Sequence, residues 1–247
     1  MTKVNERYIK QYSWILNRDM EHAVFGDGGK VCFAFPPQNG HYWDFKNFGM
    51  IDSIRPWIEA GRLMVVAVDA IDEETWSNEG GNPRDRIVLH ERWFHYLTDE
   101  LAPQYLHGGD RGIVTGCSMG GVHAGISFFR RPDLFDTLIS LSGLFDARFF
   151  FHDYMDNLVY DNSPIDFLPN MPQAHPWMDW YRKSNIIICV GQGAWEDDMI
   201  HDARIMDEIL SSKGIPHWSD YWGYDVNHDW PWWQKQLPYF IGKLLDE

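Results

Sequence analysis

Short, continuously apolar runs alternate with amphipathic stretches along most of this chain. Val31-Cys32-Phe33-Ala34-Phe35, Leu63 to Val68, Gly112 to Thr115, Thr137 to Leu141 and Ile186 to Val190 are runs of this kind. Their length and β-branched content suit strands buried on both faces. Tyr8 to Leu16 and Met20 to Phe25 read as two further strands, joined through Asn17-Arg18-Asp19 as a hairpin, and His217 to Trp222 as a last one. Between these runs the spacing predicts helices over Ile51–Ala60, from Pro83 to about Leu106, over Gly121–Arg130, Asp198–Ser212 and Trp232–Leu245. Asn82-Pro83 is a strong start signal, because Asn caps a helix and Pro is tolerated at its first position. After the opening hairpin, strand and helix alternate. That rhythm predicts one α/β domain: a mostly parallel eight-stranded sheet, helices on both faces and an antiparallel N-terminal hairpin. The stretch from Phe145 to Tyr181 breaks the rhythm, being rich in Asp, Pro and aromatics. It is expected to be an insertion, a cap or pocket wall over the carboxyl edge of the sheet, where open α/β sheets bind ligands.

Composition narrows the function classes. The chain has 247 residues, enough for one domain with a large core. A net charge of −15 argues against nucleic acid or an anionic membrane as partner. Residues 1–7 contain no apolar signal-like run and no segment has the length of a membrane span, so a cytoplasmic location is expected. Three cysteines, two of them in apolar strand-like runs, point to reduced buried thiols. Thirteen tryptophans supply aromatic surface for a core or for a pocket wall.

The chemistry concentrates in Gly116-Cys117-Ser118-Met119-Gly120, between the Gly112–Thr115 strand and the following helix. A G-x-S-x-G segment on a strand-to-helix turn is a nucleophile elbow. Glycines two before and two after the serine let strand and helix approach closely, and the turn lifts the hydroxyl above the sheet edge. The helix N-terminus then faces the place where an oxyanion would form. A glycine-rich turn with a solvated serine would share these letters, so the partners decide.

Serine needs a base, and in this architecture the order is Ser, acid, His. Of eleven histidines, His228 alone falls in a loop between the last strand and the last helix, the position the base requires. The acid belongs after the Ile186–Val190 strand, in Gly191-Gln192-Gly193-Ala194-Trp195-Glu196-Asp197-Asp198. Asp197 and Asp198 compete for the work of capping the next helix. Glu196 is therefore the expected acid and Asp197 the second choice. The oxyanion hole needs two backbone N–H groups, one from Met119 and one from the loop after the Val31–Phe35 strand. Pro36 and Pro37 have no N–H, which leaves Gln38, Asn39 or Gly40, and Gln38 is preferred. Trp76, Trp195 and Trp230 are the candidate substrate-binding aromatics. His90-Glu91-Arg92-Trp93-Phe94-His95 misses the H-E-x-x-H spacing by one residue, so its two rings do not share a helical face. No metal and no cofactor is called for.

On these residues the chain resembles the esterase D-like family of the α/β-hydrolases, which includes feruloyl esterases, S-formylglutathione hydrolases and mycolyltransferases. The resemblance rests on Gly116-Cys117-Ser118-Met119-Gly120-Gly121, Pro132-Asp133-Leu134-Phe135, Leu141-Ser142-Gly143 and the late Gly223 with His228-Asp229-Trp230, and it runs from about Tyr8 to the last helix. It implies Ser118 as nucleophile and His228 as base. The chain departs from many relatives at Ala194, where they carry an acid. Glu196 is similar to the later Glu of the mycolyltransferases. The chain departs again at Pro36-Pro37, where many hydrolases have His-Gly. The expected activity is hydrolysis of a small-molecule carboxylic ester through an acyl-enzyme. Acyl transfer to an alcohol and a non-catalytic binding protein on the same fold are the alternatives, and a homo-oligomer is left open.

Overall fold

The computed structural model describes residues 4–246. Its sheet contains β1 (Glu6–Ser13), β2 (Arg18–Phe25), β3 (Lys30–Phe35), β4 (Leu63–Val68), β5 (Gly112–Cys117), β6 (Phe135–Leu141), β7 (Asn185–Val190) and β8 (Trp218–Tyr221). They lie side by side in the order β1-β2-β4-β3-β5-β6-β7-β8. The hairpin pairs antiparallel within itself and β2 pairs antiparallel with β4, while all later pairings are parallel. This is the α/β-hydrolase fold.

Four longer helices are α1 (Pro83–His95), α2 (Met119–Arg130), α3 (Asp197–Ser212) and α4 (Trp230–Leu245). Alternate side chains of each strand go to opposite faces, and the core is accordingly split in two. Val66, Val68, Val114 and Leu138 pack with α1, α2 and α3, whereas Val65, Ala67, Ile139 and Leu141 pack with α4 and the short helices of residues 44–59. Both sides of the central strands are thus dry, which is why those strands read as continuous apolar runs.

Local chemistry sets the helix ends. The Asn82 side chain accepts hydrogen bonds from the Arg84 and Asp85 N–H groups at 2.9 and 3.3 Å and starts α1. The expected single helix to Leu106 instead widens into a π-turn over Tyr96–Leu101, ahead of Pro103, which has no N–H for the α ladder. The expected helix 51–60 splits into Met50–Ser53 and Arg55–Glu59, because Pro56 interrupts the same ladder.

The irregular segment folds as four short helices, Arg148–Phe151, Asn157–Asp161, Pro164–Asn170 and Trp177–Arg182. It is tied to the body at several points. The Asp202 carboxylate of α3 accepts from the N–H groups of Phe145 and Asp146 at 2.7 and 2.9 Å. The buried Arg86 guanidinium donates to the Phe150 carbonyl at 3.0 Å, and the Tyr181 hydroxyl donates to the Phe129 carbonyl. No helix among the described residues is long and apolar enough to cross a membrane.

Candidate active site

β5 lies at the centre of the sheet, between β3 and β6, and its carboxyl end delivers Ser118. Ser118 has φ 56° and ψ −121°, a strained conformation for a residue with a side chain. Neighbours hold it there. Its N–H donates to the Leu141 carbonyl at 2.9 Å, and its own carbonyl accepts from Gly121 at 2.8 Å. A Cβ at Gly116 would collide with the Gly120 backbone, and one at Gly120 with the carbonyl of Phe35. The two motif glycines therefore let α2 start immediately above β5 and beside the end of β3. Met119 is the first residue of α2, and the first N–H of a helix has no intrahelical acceptor. Cys117, next to the serine, is buried, and burial pushes its thiol well above the ordinary value. It is packing material rather than a second nucleophile.

Two loops bring Glu196 and His228 together. The loop after β7 and the loop after β8 are stitched by several hydrogen bonds. Gly193 N–H donates to the Val226 carbonyl at 2.8 Å, Ala194 N–H to Asn227 Oδ1 at 2.8 Å and His228 N–H to the Ala194 carbonyl at 3.0 Å. Trp195 turns the chain with φ 67°, and the next residue, Glu196, is carried into the interior with 1% exposure. The Ser142 hydroxyl donates to Glu196 Oε1 at 2.7 Å and accepts from the Trp233 indole N–H at 3.2 Å. Glu196 Oε2 faces His228 Nδ1 at 3.6 Å, and neither atom has a hydrogen-bond partner among the described residues. That spacing is longer than a formed hydrogen bond, and such contacts tighten when substrate is bound. The His228 and Trp233 rings meet nearly at right angles with centroids 5.0 Å apart, which restrains the imidazole plane. Asp197 and Asp198 are exposed in the first turn of α3 and make no ion pair or hydrogen bond with the imidazole.

Ser118 and His228 open on one cavity of about 410 Å³. Met119, Val122, Leu144 and Phe150 give it buried apolar walls, and Phe149, Trp195, Asp198 and Met199 form its rim. Gln38 also lines it, with its side-chain amide donating to Ser77 Oγ at 2.9 Å. From the 145–181 segment only Phe149 and Phe150 reach this cavity. Residues 160–177 instead line a separate cavity with Phe94 and Arg130.

Two expected binding aromatics lie elsewhere. Trp76 is fully buried, donates its indole N–H to His90 Nδ1 at 2.9 Å and packs on Phe150 and Phe151. It belongs to the core behind the cavity. Trp230 stacks on Phe48 at 4.5 Å and meets Trp233 at 5.2 Å, bracing α4 rather than lining the cavity. Trp195 alone of the three reaches the rim. Sequence reasoning missed Ser142 and Trp233, which hold the Glu196 carboxylate in place. Ser142 lies inside the Leu141-Ser142-Gly143 signature, and its φ of 53° sets it apart from ordinary strand residues. His90 and His95 face different partners, Asn162 at 3.1 Å and Asp99 at 2.8 Å.

Comparison with known proteins fixes the class. The "Putative esterase" family matches residues 38–244. The chain belongs to this esterase family. Its class is that of an ester hydrolase. A ferulic acid esterase is similar in structure, with TM-score 0.75, 15% identity and coverage of 99% of this chain and 98% of the other. The S-formylglutathione hydrolase of Agrobacterium tumefaciens gives TM-score 0.74 at 14% identity, over 99% and 98%. MPT51 of Mycobacterium tuberculosis gives 0.72 at 14%, over 99% of each chain. Among curated proteins, none matches the sequence.

Proposed function

We propose that Ser118 is the nucleophile of this esterase, His228 its base and Glu196 the acid behind the base. The observation that carries the reading is the strained Ser118 opening on the same cavity as a histidine whose far nitrogen is backed by a buried carboxylate. His228 takes the hydroxyl proton as Ser118 Oγ attacks the ester carbonyl. The tetrahedral oxyanion receives the N–H groups of Met119 and Gln38. His228 then returns the proton to the departing alcohol, leaving an acyl-Ser118. Water attacks this ester with His228 again as base, and the acid is released. Glu196 holds the imidazole in the tautomer with its proton on Nδ1 and stabilises the imidazolium. The rim is open enough to leave Trp195 exposed, so water has access to the acyl group, and hydrolysis is proposed over transfer to an alcohol.

A fluorophosphonate probe tests the assignment. It should label the wild type at Ser118 and leave Ser118→Ala unlabelled, and turnover of p-nitrophenyl acetate should disappear in Ser118→Ala and His228→Ala. Equal labelling of Ser118→Ala, or unchanged turnover in His228→Ala, would overturn it.

A further inference from the structure

Two side chains on the rim of the catalytic cavity have no task in acyl transfer. Trp195 is 83% exposed and sits at φ 67°. A left-handed backbone is strained for a bulky residue, and an exposed indole recovers little by burial. The turn that sends Glu196 inward needs only the left-handed conformation, which Gly or Asn adopts at lower cost. The indole itself is what remains to be explained. Asp198, three residues on, is exposed, lines the same cavity and makes no ion pair or hydrogen bond among the described residues. Its place in the first turn of α3 agrees with the helix dipole, but that does not require it to border a cavity. Among the described residues no Lys or Arg lines the cavity, and Asp198 is its only lining carboxylate. Arg148, beside Phe149, is occupied by Asp146 and Asp166.

An aromatic face and an unpaired carboxylate beside one small cavity form a receptor for a cation, through cation–π and Coulomb attraction. We propose that this esterase selects esters bearing an alkylammonium group, which Trp195 and Asp198 receive while Ser118 attacks the carbonyl. A leaving group rich in carboxylates, such as a glutathione thioester, would meet Asp198 with no cation to offset it. The inference rests on Ser118 being the nucleophile, and its test separates the two.

The test compares kcat/KM for three butyrate esters of similar size: of choline (cationic), of 3,3-dimethylbutanol (its neutral isostere) and of 3-hydroxypropanesulfonate (anionic). The choline ester should be favoured over the neutral one by at least about tenfold at low salt, with the anionic ester slowest. The preference should shrink at about 0.5 M NaCl. The cationic-to-neutral ratio should fall towards one in Asp198→Asn and several-fold in Trp195→Ala, and persist in Glu208→Gln, an exposed change further along α3. Equal rates for the cationic and neutral esters, or a preference for the anion, with turnover still lost in Ser118→Ala, would overturn the cation site and leave the esterase reading standing. Absence of fluorophosphonate labelling would instead sink the catalytic assignment, and this inference with it. If none of the three esters turns over, choline should protect Ser118 from the fluorophosphonate better than 3,3-dimethylbutanol does, and equal protection overturns the proposal.

Discussion

Ser142 is a small residue with a large share in placing the Glu196 carboxylate. A buried carboxylate has lost its water and must be given hydrogen bonds. The Ser142 hydroxyl supplies one to Oε1, which leaves Oε2 for His228. Ser142→Ala should therefore lower kcat about tenfold with KM changed less than twofold, since the ground-state contacts of the ester are untouched. Glu196→Gln should cost more, on the order of 10³ in kcat, because an amide can favour the wrong tautomer and cannot stabilise an imidazolium. Steady-state kinetics on p-nitrophenyl acetate check both, and a Glu196→Gln variant with near wild-type kcat would refute the role given to the acid. Ser118 and His228 stand out at this scale in the sequence, one because it lies in a steric signature and the other because of chain order. Glu196 was reached by setting aside residues suited to capping. In the structure it stands at the cap position of α3 itself, yet its side chain makes no cap bond and turns inward. Trp76 and Trp230 were misread because an aromatic in a core and one in a pocket wall have the same local sequence.

At the scale of elements, α2 and the loop after β3 are linked by a chain of bonds behind the serine. His123 of α2 shares a hydrogen bond with Asp72 at 2.9 Å, and both are buried. The Asp72 carbonyl accepts from Ser77 N–H at 2.9 Å, and Ser77 Oγ holds the Gln38 side chain. The helix that aims the nucleophile and the loop proposed to supply an oxyanion donor are thus in register through a third segment. Asp72→Ala strands the buried His123 and should lower stability by roughly 1–3 kcal/mol. Ser77→Ala lies near the surface and should reduce kcat several-fold with the urea midpoint unchanged. Paired denaturation and kinetic measurements distinguish the two, and an unaltered kcat in Ser77→Ala would show that the link to Gln38 does not matter. Strand positions were legible because two-sided burial writes itself as apolar runs. The splitting of the helices at Pro56 and Pro103 shows backbone chemistry overriding an amphipathic pattern, and this three-part link was hidden because its members lie far apart in sequence.

For the molecule as a whole, buried histidines set an acid limit. Burial lowers His22 from its usual 6.5 to about 4. Burial, with repulsion from the neighbouring His123 and Arg130 side chains, pushes His90 well below its ordinary value. In each case the unfolded chain binds the proton more readily than the folded one. The contribution of His22 is therefore full above pH 6.5 and is lost as pH falls through the window between 6.5 and 4, by roughly 3 kcal/mol. Asp202 and Asp69, whose carboxyls burial pushes up, act in the opposite sense and blunt the fall. Urea midpoints from pH 7 to 4 should show a shallower decline in His22→Gln than in the wild type, and parallel curves would refute the contribution of His22. The two-faced architecture was foreseeable from the rhythm of the chain. The anchoring of residues 145–181 was not, because it depends on Arg86, Asp202 and Tyr181 meeting backbone from distant segments.

His228 and Trp233 both lie beyond the last strand of the sheet. Synthesis from the amino end consequently lays down the scaffold and the alcohol before the residues that arm it exist. A half-made chain would hold a harmless serine and could not acylate itself or its neighbours. Ribosome-arrested chains ending near Tyr221 should ignore the phosphonate reagent, whereas chains extended through α4 should take it up; uptake by the shorter ones would show that the hydroxyl is reactive without its imidazole.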